Sequence, residues 1–458
     1  VEVSVLKKNY LLCILMLFLY VSSWNTTIYA NEYEDASKLQ NIIEKSVAGD
    51  SIVFPKGTYY GTIKVNKPLS ISAAETTLTY DADATLLIIE GENVTIDGLN
   101  INSTHPHYKH RVLEMYGNNH QLTNVNIETK STGIHLFGSS DNTLSNLTII
   151  GTTPEVQNGM IQRRGNGIEL YDDSNDNHII QNHVDNMYDA IYLENVDRNV
   201  IEENIVFNSR YAYHLMYTND TQIINNESYR NVTGTMIMQV RNTIVKNNVL
   251  AEQNQNVHSQ GILLFDAYDT TIENNTVEGN RIGIIVERAQ RNLIQHNFIS
   301  KNFVGVQWKD STENTFTGNT LQANVVQAQA ISDTDSNNNQ SAEQSNIIKN
   351  NFWDDSEKLD LQGDTQSDLT YKINPYFLTL TDERPQFQIL FQSPGMVLLE
   401  QLFSIDSDEW VSDESPSMAP LHTVNTDNEQ SVSLITVSIL FTALSSFVIL
   451  KAGVKKND

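Results

Sequence analysis

From about residue 50 to residue 350 the apolar positions come in short runs that alternate with polar ones, as in Asn292-Leu-Ile-Gln-His-Asn297-Phe-Ile and Gly283-Ile-Ile-Val. The runs are too short for helices and show no 3.6-residue period, so they predict strands with one face buried. The strands recur at a fixed interval. Asn182, Asn204, Asn226 and Asn248 are each 22 residues apart; one step of 27 then leads to Asn275, and Asn297 and Asn319 resume the 22. Ala190, Ala212, Gly234, Gly261, Gly283 and Gly305 keep the same steps, including the single long one. Two independent rows that share both intervals define a repeat, and one repeat of this length is one turn of a solenoid. The predicted fold is therefore all-β, a right-handed, single-stranded parallel β-helix with coils of about 22 residues. Asn and Gly are expected at the corners, where left-handed or tight-turn backbone is needed, with the asparagines also hydrogen-bonded to one another along the axis.

The ends of the repeat break this pattern. Gly133-Ile-His-Leu136 and Gly167-Ile-Glu-Leu170 repeat the strand signature, and Thr152 to Arg164 between them predicts a loop thrown out from one coil. Leu39, Ile42, Ile43 and Val47 share one helical face ending at Gly49, which predicts an N-terminal helical cap over the first coil. The expected domain order is a signal peptide over 1–30, a β-helix with its caps over 31–402, an acidic Ser-rich tether over 403–431, a transmembrane helix over 432–450 and a cytoplasmic tail over 451–458. Lys7 and Lys8 ahead of the apolar run Tyr10 to Val21, with Ala30 at the cut, carry the first of these, and the mature chain would start at Asn31. The uncharged run Val432 to Leu450, followed by Lys451, Lys455 and Lys456, carries the membrane span and its orientation. Together they predict an exported, membrane-anchored protein.

Alternation also says which residues face outward. In each strand after a small corner residue the first and third positions fill the interior: Ile191 and Leu193, Tyr213 and Leu215, Thr235 and Ile237, Ile262 and Leu264. The second and fourth face out: Tyr192 and Glu194, His214 and Met216, Met236 and Met238, Leu263 and Phe265. His214, Met216, Met236 and Met238 thus fall on two adjacent coils as the corners of a rectangle about 4.8 Å by 6.6 Å. Thioether and imidazole donors favour soft metals, copper(I) above all. Cys13, the one cysteine, lies in the export signal, so a metal site in the mature chain must be built from His, Met and carboxylates. The same patch, continued by Leu263 and Phe265, also reads as an adaptable apolar surface for a partner.

Other constellations are open to bland and functional readings alike. His105, His107 and His110 crowd a loop with Pro106, either solvated or binding a divalent cation. Asp354, Asp355, Asp360, Asp364 and Asp368 form an acidic C-terminal cap or a hard-cation site. Glu169 and Glu194 face outward and would suit acid/base work on a polysaccharide, although the sequence places no basic residue beside them. The net charge of −27 excludes a nucleic-acid partner, which needs a basic stripe.

The tandem Asn208-Ser-Arg-Tyr-Ala-Tyr-His-Leu-Met-Tyr217, Asn231-Val-Thr-Gly-Thr-Met-Ile-Met238 and Gly261-Ile-Leu-Leu-Phe-Asp266 resembles the NosD-type proteins, β-helical copper-binding maturation factors of nitrous oxide reductase. The resemblance runs from about Ala36 to Leu402 and includes Pro55-Lys-Gly-Thr-Tyr59 and Asn351-Phe-Trp-Asp354. It implies a non-enzymatic role: supplying copper to nitrous oxide reductase outside the cytoplasm, together with an ABC transporter ATPase and permease and a copper chaperone. Carried over to this sequence, the copper contacts would be His214, Met216, Met236 and Met238. The cap departs from the family pattern, with Gly363-Asp-Thr-Gln-Ser-Asp368 in place of a Gly-Asp-Gly run. A carbohydrate-binding or carbohydrate-active β-helix of the cell surface is the alternative, and it would share every structural feature above.

Overall fold

The computed structural model describes residues 33–152, 163–330, 346–373 and 411–421, the short strands Val156–Gln157 and Met160–Ile161, and positions 387, 393 and 395. Within them the chain winds as a parallel solenoid. One face is a 12-stranded parallel sheet running from Ile63–Val65 to Val326–Ala330. Two further rows of three-residue strands, such as His178–Ile180 and His183–Asp185, pair coil on coil beside it. The helix Ser37–Lys45 lies at the N-terminal end and buries Leu39 and Ile43 against the core. The expected export signal and the expected membrane span Val432 to Leu450 lie outside the described residues. Among the described residues no helix is long and apolar enough to cross a membrane.

The inward positions are as alternation predicts: Ile191, Leu193, Tyr213, Leu215, Thr235, Ile237, Ile262 and Leu264 are fully buried in one continuous core. The asparagine row is a hydrogen-bonded ladder. Each buried Asn accepts, at its side-chain oxygen, the backbone N–H and the amide of the Asn one coil earlier. Asn182, Asn204, Asn226 and Asn248 pass this bond along at 2.8–3.1 Å, and Asn275, Asn297, Asn319 and Asn351 continue it. The amides also donate to carbonyls of the previous coil, as Asn226 does to Ile201. Two parallel columns do the same, one through Asn142, Asn177 and Asn199, the other through Ser209, Asn231, Gln253, Asn280 and Asn302.

The corner chemistry differs from the expectation in two respects. The left-handed residue is the one before each ladder asparagine, Gln181, Glu203, Asn225, Asn247, Asn274 and His296. The ladder asparagines turn inward because their hydrogen bonds, rather than their backbone tolerance, select them. The glycine row is not left-handed either. At Gly234, Gly283 and Gly305 a Cβ would stand 2.4–2.5 Å from a carbonyl oxygen of the next coil, so close stacking of backbones is what excludes a side chain.

The predicted loop between Thr152 and Arg164 is an insertion: the ladder step from Asn142 to Asn177 is 35 residues, 13 more than a coil, and Val156–Gln157 pairs antiparallel with Met160–Ile161. A correction applies to the segment 403–431. Its residues 411–421 are not a free tether but dock on the last coil. Asp413, fully buried, ends the ladder by accepting from the Asn351 backbone, the Asn351 amide and the Trp353 indole, each at 3.0 Å. Ser-rich, acidic composition concealed this, because a carboxylate is the terminal acceptor that a column of amide donors requires.

Candidate metal centre

The outer side of the 12-stranded sheet carries the outward residues in register. Tyr192 stands opposite His214, His214 opposite Met236, and Met236 opposite Leu263; in the next row Glu194, Met216, Met238 and Phe265 follow one another. The four predicted donors therefore form a two-by-two block on the neighbouring strands Tyr211–Met216 and Thr233–Met238, with a lateral spacing of about 4.8 Å. Met216, Met236 and Met238 are half-buried. His214 is less exposed than an outward position predicts, at 6%, because the rings of Tyr192 and Tyr211 pack on it at 4.7 and 5.1 Å.

His214 is oriented from below. Its Nδ1 lies 2.8 Å from Asp189 Oδ2, and since a carboxylate only accepts, the neutral ring carries its proton on Nδ1 and its lone pair on Nε2. Asp189, itself buried, accepts two bonds from the Arg210 guanidinium at 2.7 and 2.5 Å. Arg210 lies over the rings of Tyr188 and Tyr211 at 3.8 and 4.0 Å. Burial pulls this guanidinium down, but its bonds to Asp189 outweigh that and hold it above its ordinary value. Tyr192 donates to Glu194 at 2.6 Å and reaches Met216 Sδ at 3.6 Å; burial, and then the Glu194 bond, push its phenol well above the ordinary range. The outcome is a His214 Nε2 that is buried, carries a free lone pair and has no hydrogen-bond partner. An orphaned buried acceptor beside thioethers fits copper(I), a soft ion that imidazole and thioether bind without thiolate. The carboxylate behind the imidazole is the arrangement that orients metal-binding histidines.

Residues 150–357 match the family model described as a periplasmic copper-binding protein (NosD), and residues 66–227 match that of a right-handed β-helix region. Over these segments the chain is similar to NosD-type right-handed β-helix proteins. The NosD-matching segment contains His214, Met216, Met236 and Met238 together with Asp189 and Arg210. Nothing among curated proteins matches. Solved structures with similar coils include the PL6 family polysaccharide lyase Pedsa3628 from Pseudopedobacter saltans, at 14% identity and a TM-score of 0.49, covering 71% of this chain and 93% of that one. PfbA, a surface adhesin of Streptococcus pneumoniae, matches at 14% identity and 0.48, covering 65% and 90%. The mannuronan C-5 epimerase AlgE4 A-module of Azotobacter vinelandii matches at 16% identity and 0.45, covering 70% and 91%.

Along the same face of the solenoid lies a feature that sequence reasoning missed. Glu169 has basic neighbours after all: His135 Nδ1 is 2.9 Å from its Oε1, and Arg111 Nε is 3.8 Å away. Neither is near it in sequence, and only the coil register brings them together. His135 Nε2 is buried and without a partner, like that of His214. Glu194 is bonded to Tyr192 and stands opposite Tyr171, so the two carboxylates singled out as a pair are not cross-strand partners. Among the described residues the carboxylates of the acidic cap do not form a group of three close enough to share one ion. Asp360 accepts from the backbone of Gly363, Gln362, Asp364 and Thr365, and the Gly363 bond first among them lowers its pKa; Asp368 accepts from Leu361 and Gln362. Their oxygens close their own turns.

Proposed function

We propose that this protein is an extracytoplasmic accessory factor that binds or relays copper(I) for the copper centres of nitrous oxide reductase, with His214, Met216, Met236 and Met238 as its donors. The observation that carries this is the His214 Nε2, buried and without a hydrogen-bond partner on a ring that Asp189 holds from Nδ1, on a residue in register with Met236 inside the NosD-matching segment. The role is one of cargo handling rather than catalysis: the side chains bind and release an ion and break no covalent bond. A copper chaperone would deliver to this face and the reductase would receive from it. An ABC transporter, made of an ATPase and a permease, would work beside it, and the apolar run Val432 to Leu450 would keep the solenoid at the membrane. Half-buried thioethers serve such a relay, because a partner's donors can approach them.

The test is the copper content of nitrous oxide reductase produced alongside this protein or alongside its H214A/M216A/M236A/M238A variant. The reading expects a copper-poor reductase with the variant, and a fully loaded reductase overturns it. The Glu169, His135 and Arg111 cluster gives the glycan reading a specific foothold, since a carboxylate beside an imidazole and a guanidinium can engage a sugar hydroxyl or uronate. Binding of acidic oligosaccharides that is lost in E169Q but unaffected by the quadruple substitution would favour it.

A further inference from the structure

Far from the methionine face, two successive coils meet at a cluster of histidines. Asp83 lies in the turn before the strand Leu87–Ile89, and His105 and His110 lie in the loop between Thr95–Ser103 and Arg111–Met115. That loop is pinned from the following coil, where Ser131 Oγ donates to the His107 carbonyl and the Thr132 N–H to that of His110. The two imidazoles face each other at 4.3 Å. Their side chains are 9% and 7% exposed, whereas that of Asp83 is 92% exposed and leaves a way in from solvent.

Asp83 Oδ1 is 3.8 Å from His105 Nε2 and 3.5 Å from His110 Nδ1. Both are too long for a hydrogen bond. Donors around a tetrahedral ion with bonds near 2.0–2.1 Å stand about 3.3 Å apart, so a small contraction would close all three on one metal. One ligand atom from each residue already lies within 4.8 Å of the others, and Asp83, His105 and His110 are the one such group of His, Cys and carboxylates among the described residues. Binding through the nitrogens nearest Asp83, His105 Nε2 and His110 Nδ1, requires the ring protons on His105 Nδ1 and His110 Nε2. For His105 that breaks one long bond, from the His107 N–H at 3.2 Å to Nδ1.

We propose that Asp83, His105 and His110 bind a borderline divalent cation, of the zinc(II) and cobalt(II) class, that clips two successive coils together with its fourth position open to water. Two nitrogens and one carboxylate oxygen suit such an ion, and the absence of sulfur separates this site from the copper(I) donors.

The test uses the untagged full-length chain, its quadruple His214, Met216, Met236, Met238→Ala variant, H105A/H110A and D83N. Cobalt(II) titration should give a visible ligand-field band at one equivalent in the wild type and the quadruple variant. Zinc(II) should raise the melting temperature of both by a few degrees. H105A/H110A should lose the band and the shift, and D83N, an exposed change that leaves the fold alone, should bind at least tenfold more weakly. No band in the wild type, or an undiminished band in H105A/H110A or D83N, overturns the proposal whatever the copper(I) experiments show.

Discussion

At the scale of single residues, the copper reading depends on the state of one imidazole. Asp189 fixes the proton of His214 on Nδ1, and Arg210 fixes Asp189. In D189N the amide would either turn its oxygen to the ring or present N–H to it, and Arg210 would lose half of a bidentate partner. Copper(I) affinity should fall about 10- to 100-fold, as it does when an outer carboxylate is removed from a metal-binding histidine, and stability should fall by roughly 1–3 kcal/mol. Chelator competition and denaturant melts read the two effects separately. Alternation along single strands made the outward block of His214, Met216, Met236 and Met238 legible in the sequence. Asp189 and Arg210 were not, since their contacts span 21 and 25 residues and depend on how one coil sits on the next. The same limit hid His135 and Arg111 beside Glu169, and Asp83 beside the histidine loop.

At the scale of elements, the ladder predicts its own failure. Asn226 accepts two bonds from Asn204 and donates to Ile201, Ile224 and Asn248. N226A leaves several buried donors and acceptors unpaired, so it should cost about 3–5 kcal/mol at roughly 1–3 kcal/mol for each unsatisfied group. Gly261 should be nearly as intolerant. An added Cβ there meets Val277 Cγ1 at 2.6 Å and the Gly283 carbonyl at 2.7 Å, and overpacking of this kind costs about 1–3 kcal/mol. Both changes are measured by urea denaturation with the midpoint as readout.

His120 stands at the head of another ladder column, donating its backbone N–H to Asn142 while its Nδ1 accepts from the Val94 N–H. Burial drives its pKa below the ordinary 6.5, against weaker pulls from the Tyr116 carbonyl and Glu92. The unfolded chain therefore takes up this proton first. Stability contributed by the neutral ring is complete above pH 6.5 and declines as the pH falls below it, until the folded form also protonates. Melts at successive pH values should show that slope, and H120N should flatten it. Periodicity made the ladder legible because identical residues at identical steps are visible without coordinates. The left-handed corners were not, because Gln181, Glu203 and His296 occupy them as readily as asparagine does.

At the scale of the whole molecule, a stack in which each coil touches only its neighbours depends on its ends. The repeat itself was legible from two rows of residues. The closure by residues 411–421 was not, since nothing in Ser412-Asp413-Glu414-Ser415 has a period, and its partner Asn351 is 62 residues away. The solenoid also separates its chemistry along the axis, with the histidine cluster on early coils, the carboxylate and imidazole pair next, and the thioethers on the middle coils. On the proposed copper-relay reading this face would present its thioethers to a second protein, and that would account for an apolar, half-buried patch on a chain with a net charge of −27.

The central claim is tested most directly by anaerobic copper(I) competition against a chromophoric chelator, using the full-length chain and its H214A/M216A/M236A/M238A variant. The structure predicts binding close to one copper(I) per chain in the wild type and its loss in a variant that melts as the wild type does. Equal copper(I) affinity in the two proteins would contradict it.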